Sequence, residues 1–375
     1  MQLPYSPQLH IEYLGRLFDN TSECYKLFWF QAILTKLDTG RDTFTYEELV
    51  DEMIADAWYM VTEYHLNLGP KDNLEAVVKH ISQTARFKPS EKKPIIIEYL
   101  RSCTDKEVLR LKKILIRNVP YRLQAPFIPE FKGKAWDIGE RKLPEAMNEQ
   151  KRLMYYFSAF KGLATEIQLQ PDWLDYLHRN KEIIKGWIQY NMITYLQKRN
   201  PSVPGISDKL FPPQERKLDK VLKYWRVLIE IQPIREIYHH EEITTSNISI
   251  DHFVPWSYVA HDEFWNLHPT TKSINSSKSN HLPDWELYFP LLAEQEYRSY
   301  QMLWQYEKLK KEFKSCAKDH LNNSDIAYRL YRENQSMEGF KEQLKEILSP
   351  VYESARNSGF GNWVYKDESD HSILQ

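Results

Sequence analysis

The residues best able to do chemistry in this 375-residue chain fall in one short stretch. It reads Ser249-Ile250-Asp251-His252-Phe253-Val254-Pro255-Trp256, then Trp265-Asn266-Leu267, then Ser273-Ile274-Asn275-Ser276-Ser277-Lys278. An imidazole titrates near neutrality, so His252 is a candidate proton acceptor at physiological pH. Carboxylate and amide oxygens, as on Asp251 and Asn275, are hard donors of the kind that suit Mg²⁺ or Mn²⁺. Singly these residues carry little: an Asp-His pair is common, an isolated Asn caps or turns a chain, and a lone Lys is usually solvated. His239, His240, His261, His268 and His281 are rival ligands, and His281 is the most tempting because it lies close behind Lys278.

The spacing separates the set from coincidence. Asp251-His252 precedes Pro255 as D-H-x-x-P, Asn266 and Asn275 enclose eight residues, and Lys278 follows Asn275 as N-x-x-K. An acid-histidine pair at a strand end, a following asparagine and a third polar residue on a helix resemble the HNH, or ββα-metal, nuclease motif. With asparagine at the third position, the segment is most similar to the HNH domains of CRISPR effector nucleases. The resemblance spans about fifty residues, 234–283, and leaves the rest of the chain unidentified.

That resemblance implies a phosphodiester-cleaving endonuclease. Such cleavage needs an activated water and compensation for the charge that builds on phosphate. His252 is then the catalytic base. Asp251 and Asn275 are the metal ligands, and Asn266 braces the loop that carries the histidine. Lys278 shares a helix face with Asn275, both aimed at the phosphate. Two oxygen donors favour Mg²⁺ or Mn²⁺ over Zn²⁺ or Ni²⁺. DNA is the favoured substrate, and bacterial proteins with this motif often belong to antiviral defence or mobile-element systems. An RNA-cutting nuclease, or a non-catalytic subunit that only grips nucleic acid, are the alternatives.

Composition bounds the rest. A net charge of −2 argues against coating nucleic acid through overall charge and concentrates any contact in a local groove. Cys24, Cys103 and Cys316 are too dispersed for a disulfide framework, so a cytoplasmic location is expected. No apolar run of about eighteen residues is present to span a membrane, and the start of the sequence lacks a signal-peptide pattern. The 24 tyrosines and 11 tryptophans suit packing between helices more than base stacking.

The elements that must position the motif are mainly helical. Leu49, Val50, Met53, Ile54, Ala57, Trp58 and Val61 recur at helical spacing behind a Thr45/Glu48 capping box. A second box, Thr104 with Glu107, opens a helix with Val108, Leu111, Ile114 and Leu115 on one side and a basic stripe of Arg110, Lys113 and Arg117 on another. Residues 120–144 read as an irregular connection. Helical periodicity resumes through Met154 and runs from Leu174 to Tyr195, until Asn200-Pro201 breaks it. After a helix over 218–229, Ile234–Tyr238 and Ile248–Val254 are the only persuasive strands. Thr270 or Thr271 should cap the short helix bearing Asn275 and Lys278.

Leu303, Tyr306, Leu309 and Phe313 mark a later helix, along which Lys308, Lys311, Lys314 and Lys318 form a second basic stripe. The expected organisation is a helical region at 1–205, an HNH nuclease domain at 206–298 with its core at 234–283, C-terminal helices at 299–360 and a flexible tail at 361–375. The helical region is expected to bind substrate, to engage a protein partner or a second copy as a homo-oligomer, or to restrain the nuclease.

Overall fold

The computed structural model describes residues 2–70, 72–131, 133–211 and 218–366. The chain divides into two compact units, Met1–Pro201 with Lys209–Pro212, and Ser202–Asp208 with Pro213–Gln375.

Helices α1 (Tyr25–Lys36) and α2 (Tyr46–Thr62) form the centre of the first unit. At the start of α2, Thr45 Oγ1 accepts the Glu48 N–H at 3.1 Å and Glu48 Oε2 accepts the Thr45 N–H at 2.9 Å, the predicted capping box. All seven predicted apolar positions of α2 are buried. The helix is so enclosed that Asp51 and Glu52 are buried as well, where Lys112 at 2.7 Å and Lys36 at 2.8 Å neutralise them. Helices α3 (Asn73–Thr84), α4 (Lys93–Ser102) and α5 (Lys106–Leu115) pack on this pair.

Several sequence expectations fail in this unit. Thr104 does not cap α5; Asp105 does, its Oδ1 accepting the N–H groups of Glu107 at 2.7 Å and Val108 at 3.1 Å. A carboxylate at the N-terminus also favours the helix dipole, which a hydroxyl does not. In the basic stripe, Arg110 pairs with Glu107 at 2.6 Å and Arg117 with Glu140 at 3.2 Å. A three-stranded antiparallel sheet was also missed: β1 (Thr43–Thr45), β2 (Tyr155–Phe157) and β3 (Glu166–Leu169), in the order β1-β3-β2. Ile167 lies opposite both Phe44 and Phe157. Strands this short show too little alternation to be told from the end of a helix. Helix α6 (Lys181–Arg199) ends before Asn200-Pro201, as predicted.

The second unit begins with α7 (Asp219–Ile231). Of the predicted strand 234–238 only β4 (Ile234–Arg235) forms, paired with β5 (Glu242–Ile243). The chain turns there because the buried Glu236 carboxylate gathers the N–H groups of Tyr238, His239 and Glu241 at 2.6, 2.5 and 3.2 Å. Next come β6 (Ile248–His252), antiparallel to β7 (Leu267–Thr271), and helix α8 (Lys272–Lys278), a small ββα module. Thr271 holds the N-cap position of α8, but its hydroxyl bonds Ser273 Oγ at 3.0 Å instead of a backbone N–H.

Helices α9 (Trp285–Gln305), α10 (Glu307–His320), α11 (Ser324–Tyr331) and α12 (Met337–Asn357) complete this unit. The expected 298/299 division falls inside α9. Tyr306 breaks the predicted continuous helix: with φ −121° and ψ 114° it is extended, and it is 42% exposed, so burial gives the helix no reason to continue through it. Within the expected tail, β9 (Asn362–Trp363) pairs in parallel with β8 (Leu282–Pro283), while 367–375 lie outside the described residues. The protein is mainly α, with one small ββα module in the second unit. Among the described residues no helix is long and apolar enough to cross a membrane.

Candidate active site

The strand register places Asp251 opposite His268 and His252 opposite Leu267 at the end of the β6–β7 ladder. Asp251 is 4% exposed and Lys278 is fully buried. Lys278 is the last residue of α8, and its Nζ lies 3.2 Å from Asp251 Oδ1, 3.1 Å from Oδ2 and 2.9 Å from the His252 carbonyl. A buried ammonium this close offsets the cost of burying the carboxylate's charge. Burial pushes the Asp251 carboxyl upward, but the Lys278 charge, then His268 and His252, outweigh it and hold the carboxyl well below the usual range.

A second layer stands behind the carboxylate. The Tyr238 hydroxyl donates to Asp251 Oδ2 at 3.2 Å and is 3.1 Å from His268 Nε2. Burial, reinforced by Asp251, raises the Tyr238 hydroxyl far above its ordinary pKa, so it remains a donor. Trp363 packs edge-on against Tyr238, with ring centroids 5.0 Å apart. Tyr238 and His268 are the residues that sequence reasoning missed here. His268 stood only among rival ligands, and the period-two pairing of β6 with β7 is what brings it to Asp251.

Asn266 is completely buried and its side chain pairs with one peptide unit: Oδ1 accepts the Val254 N–H at 2.8 Å and Nδ2 donates to the Val254 carbonyl at 2.9 Å. Its backbone carbonyl accepts the Phe253 N–H at 2.9 Å. The loop leaving His252 is thereby held at its first two residues. Asn275, half-buried on the side of α8 that meets β6, donates through Nδ2 to Ser249 Oγ at 2.9 Å and to the Ile250 carbonyl at 3.1 Å. A carbonyl only accepts, so the amide nitrogen faces β6 and the Asn275 oxygen is the end turned elsewhere.

His252 is 4% exposed, and its Nε2 lies 2.7 Å from Asp262 Oδ1. Asp262 is a further residue missed in the sequence, where an acid inside a loop gives no sign of its partner. The structure therefore brings Asp251 and Lys278 into contact, with Lys278 also on the His252 backbone carbonyl and the His252 ring on Asp262, while Asn266 holds the loop beside them and Asn275 is anchored to β6. Of the rivals, His281 donates through Nδ1 to the Lys278 carbonyl at 3.0 Å, and His239 stacks on Tyr365. Lys308, Lys311, Lys314 and Lys318 lie exposed along α10, with Lys308 paired to Glu230 at 3.1 Å.

Among the described residues, no group of three or more His, Cys, Asp or Glu side chains is placed to hold a metal ion. The donor set here is of another kind. A carboxylate and an amide oxygen are hard donors of the kind that suits Mg²⁺ or Mn²⁺, and both Asp251 oxygens lie against Lys278 Nζ in this structure. No curated protein and no solved structure matches the chain. Residues 235–284, which hold every one of these contacts to Asp251 and His252 from β6, β7 and α8, match the HNH endonuclease family, and the chain therefore carries an HNH endonuclease domain.

Proposed function

We propose that this protein is a divalent-metal-dependent endonuclease that hydrolyses phosphodiester bonds, with DNA as its substrate. The observation that carries the reading is the juxtaposition at the end of β6: a histidine next to an ionised carboxylate, with an asparagine of the adjoining helix anchored on the same strand. Asp251 and Asn275 would hold one Mg²⁺ or Mn²⁺, which when bound offsets the charge that builds on the scissile phosphate. His252 takes the proton from the attacking water. Asn266 keeps the His252 loop in place through Val254, and Lys278 keeps the Asp251 carboxylate ionised and aligned. A role in bacterial antiviral defence accords with the motif's likeness to CRISPR effector domains.

The test is incubation of purified protein with plasmid, linear DNA and RNA in Mg²⁺, Mn²⁺ or EDTA, beside His252→Ala and Asn275→Ala. Metal-dependent nicking or cutting of DNA, lost in both variants, is expected. Equal cutting by the variants removes the assignment. Cleavage confined to RNA replaces the substrate, and no cleavage by the parent leaves a nucleic-acid-gripping subunit as the better reading.

A further inference from the structure

We propose that Asp262 is a positioning residue that sets the tautomer of His252, and that His320, from outside the family-matched segment, holds Asp262 in place. This rests on reading His252 as the proton acceptor. A neutral imidazole accepts a proton at only one nitrogen, and the hydrogen bond made by the other decides which. Asp262 Oδ1 stands 2.7 Å from His252 Nε2. A carboxylate can only accept, so Nε2 carries the hydrogen and Nδ1 carries the lone pair that takes the proton from water.

Asp262 lies ten residues beyond His252, in a segment without regular structure. Its position comes from the helical part of the unit. His320, the last residue of α10 and 5% exposed, contacts the Asp262 carbonyl through Nδ1 at 2.7 Å. That carbonyl also only accepts, so His320 Nδ1 is the donor. Next to it, Glu263 Oε1 accepts from Asn322 Nδ2 at 2.8 Å and Oε2 from the Asn322 N–H at 3.3 Å. The matched segment ends at residue 284, so the order running from His320 through the Asp262 carbonyl, and from the Asp262 carboxylate to His252, ties the alignment of the base to a C-terminal helix.

The test uses full-length protein carrying ¹⁵N-labelled histidine, at a pH well above the ordinary histidine value, with the His252 signals assigned by their loss in His252→Gln. The parent should show His252 protonated at Nε2. Asp262→Ala should shift His252 toward the Nδ1-protonated form and lower kcat by about 10- to 100-fold with KM little changed. Asp262→Asn keeps an acceptor oxygen, so it should retain the parent tautomer and most of kcat. His320→Asn keeps a donor near the Nδ1 position and should outperform His320→Ala.

An Nδ1-protonated His252 in the parent overturns the proposal, as does an unchanged tautomer in Asp262→Ala. Equal loss of activity in the Ala and Asn variants of Asp262 does so too. If Asp262→Ala does not fold, the parent and Asp262→Asn spectra decide the matter. The tautomer is read without substrate, so a parent that cuts nothing removes the nuclease reading while the spectra still test the positioning.

Discussion

Replacing Lys278 by methionine removes the Nζ that lies 3.2 and 3.1 Å from the two Asp251 oxygens while nearly keeping the side-chain volume. At that separation, with an effective dielectric constant of about 20, the attraction is about 5 kcal/mol. Burying the carboxylate has a cost that stays when only the lysine leaves, because Asp251 remains 4% exposed. Breaking one side of such a pair costs about 3–5 kcal/mol. The cost depends on pH.

In the parent the folded carboxyl is held below its ordinary value of 3.8. Its stabilising contribution is thus present above that value and lost as pH falls through the lower folded one. In the variant, burial no longer meets the Lys278 charge, and the folded carboxyl rises. Stability is then lost as pH climbs past the unfolded value. The gap between the two proteins is therefore widest at neutral pH and narrows toward about pH 5. Denaturant-dependent hydrogen exchange in peptides covering β6 and β7 reads this unit separately from the other. A cost below about 1 kcal/mol, or one equal at both pH values, refutes the reasoning. So does additivity within about 0.5 kcal/mol when Asp251→Asn is combined with Lys278→Met.

The remaining predictions concern single contacts. Asn266→Ala leaves both backbone groups of Val254 unpaired in a fully buried place, so it should cost about 2–4 kcal/mol by urea unfolding and depress cleavage. Burial raises Glu296 far above its ordinary carboxyl range, and its Oε1 has no hydrogen-bond partner among the described residues. A group raised in this way favours the folded state below the unfolded pKa and loses that contribution as pH rises, so Glu296→Gln should flatten the fall of stability with pH, seen as thermal midpoints at about pH 5 and 8. Thr45→Ala removes one half of the capping box on α2 and should cost about 1 kcal/mol in chemical denaturation, a loss that Thr45→Ser recovers.

The parts of this structure legible in the sequence share one property: their signal is local. The α2 box needs only residues 45 and 48, and the break after Arg199 needs only Asn200-Pro201. The D-H-x-x-P spacing and the N-x-x-K helix are likewise contained in a few turns of chain. The three-stranded sheet was not legible, because β1 and β3 are separated by more than a hundred residues and neither is long enough to show its period. The register Asp251 to His268 is of the same kind, since a slip of one residue in β7 would have put Leu267 or Pro269 beside the carboxylate instead.

The same distinction separates what the motif specifies from what tunes it. Asp251, His252, Asn266, Asn275 and Lys278 recur at fixed spacing because one hairpin and one helix suffice to bring them together. Their orientation depends as well on groups that arrive from elsewhere: the Tyr238 hydroxyl from the turn shaped by Glu236, and the Asp262 carboxylate from a loop held by His320. A turn held by three N–H groups on one carboxylate, and a loop held by a buried histidine, have few alternative positions. Helix α10 thus acts on the chemistry through the hydrogen bond from His320 to the Asp262 carbonyl, and substitutions in α10 should alter turnover without touching any residue of the motif.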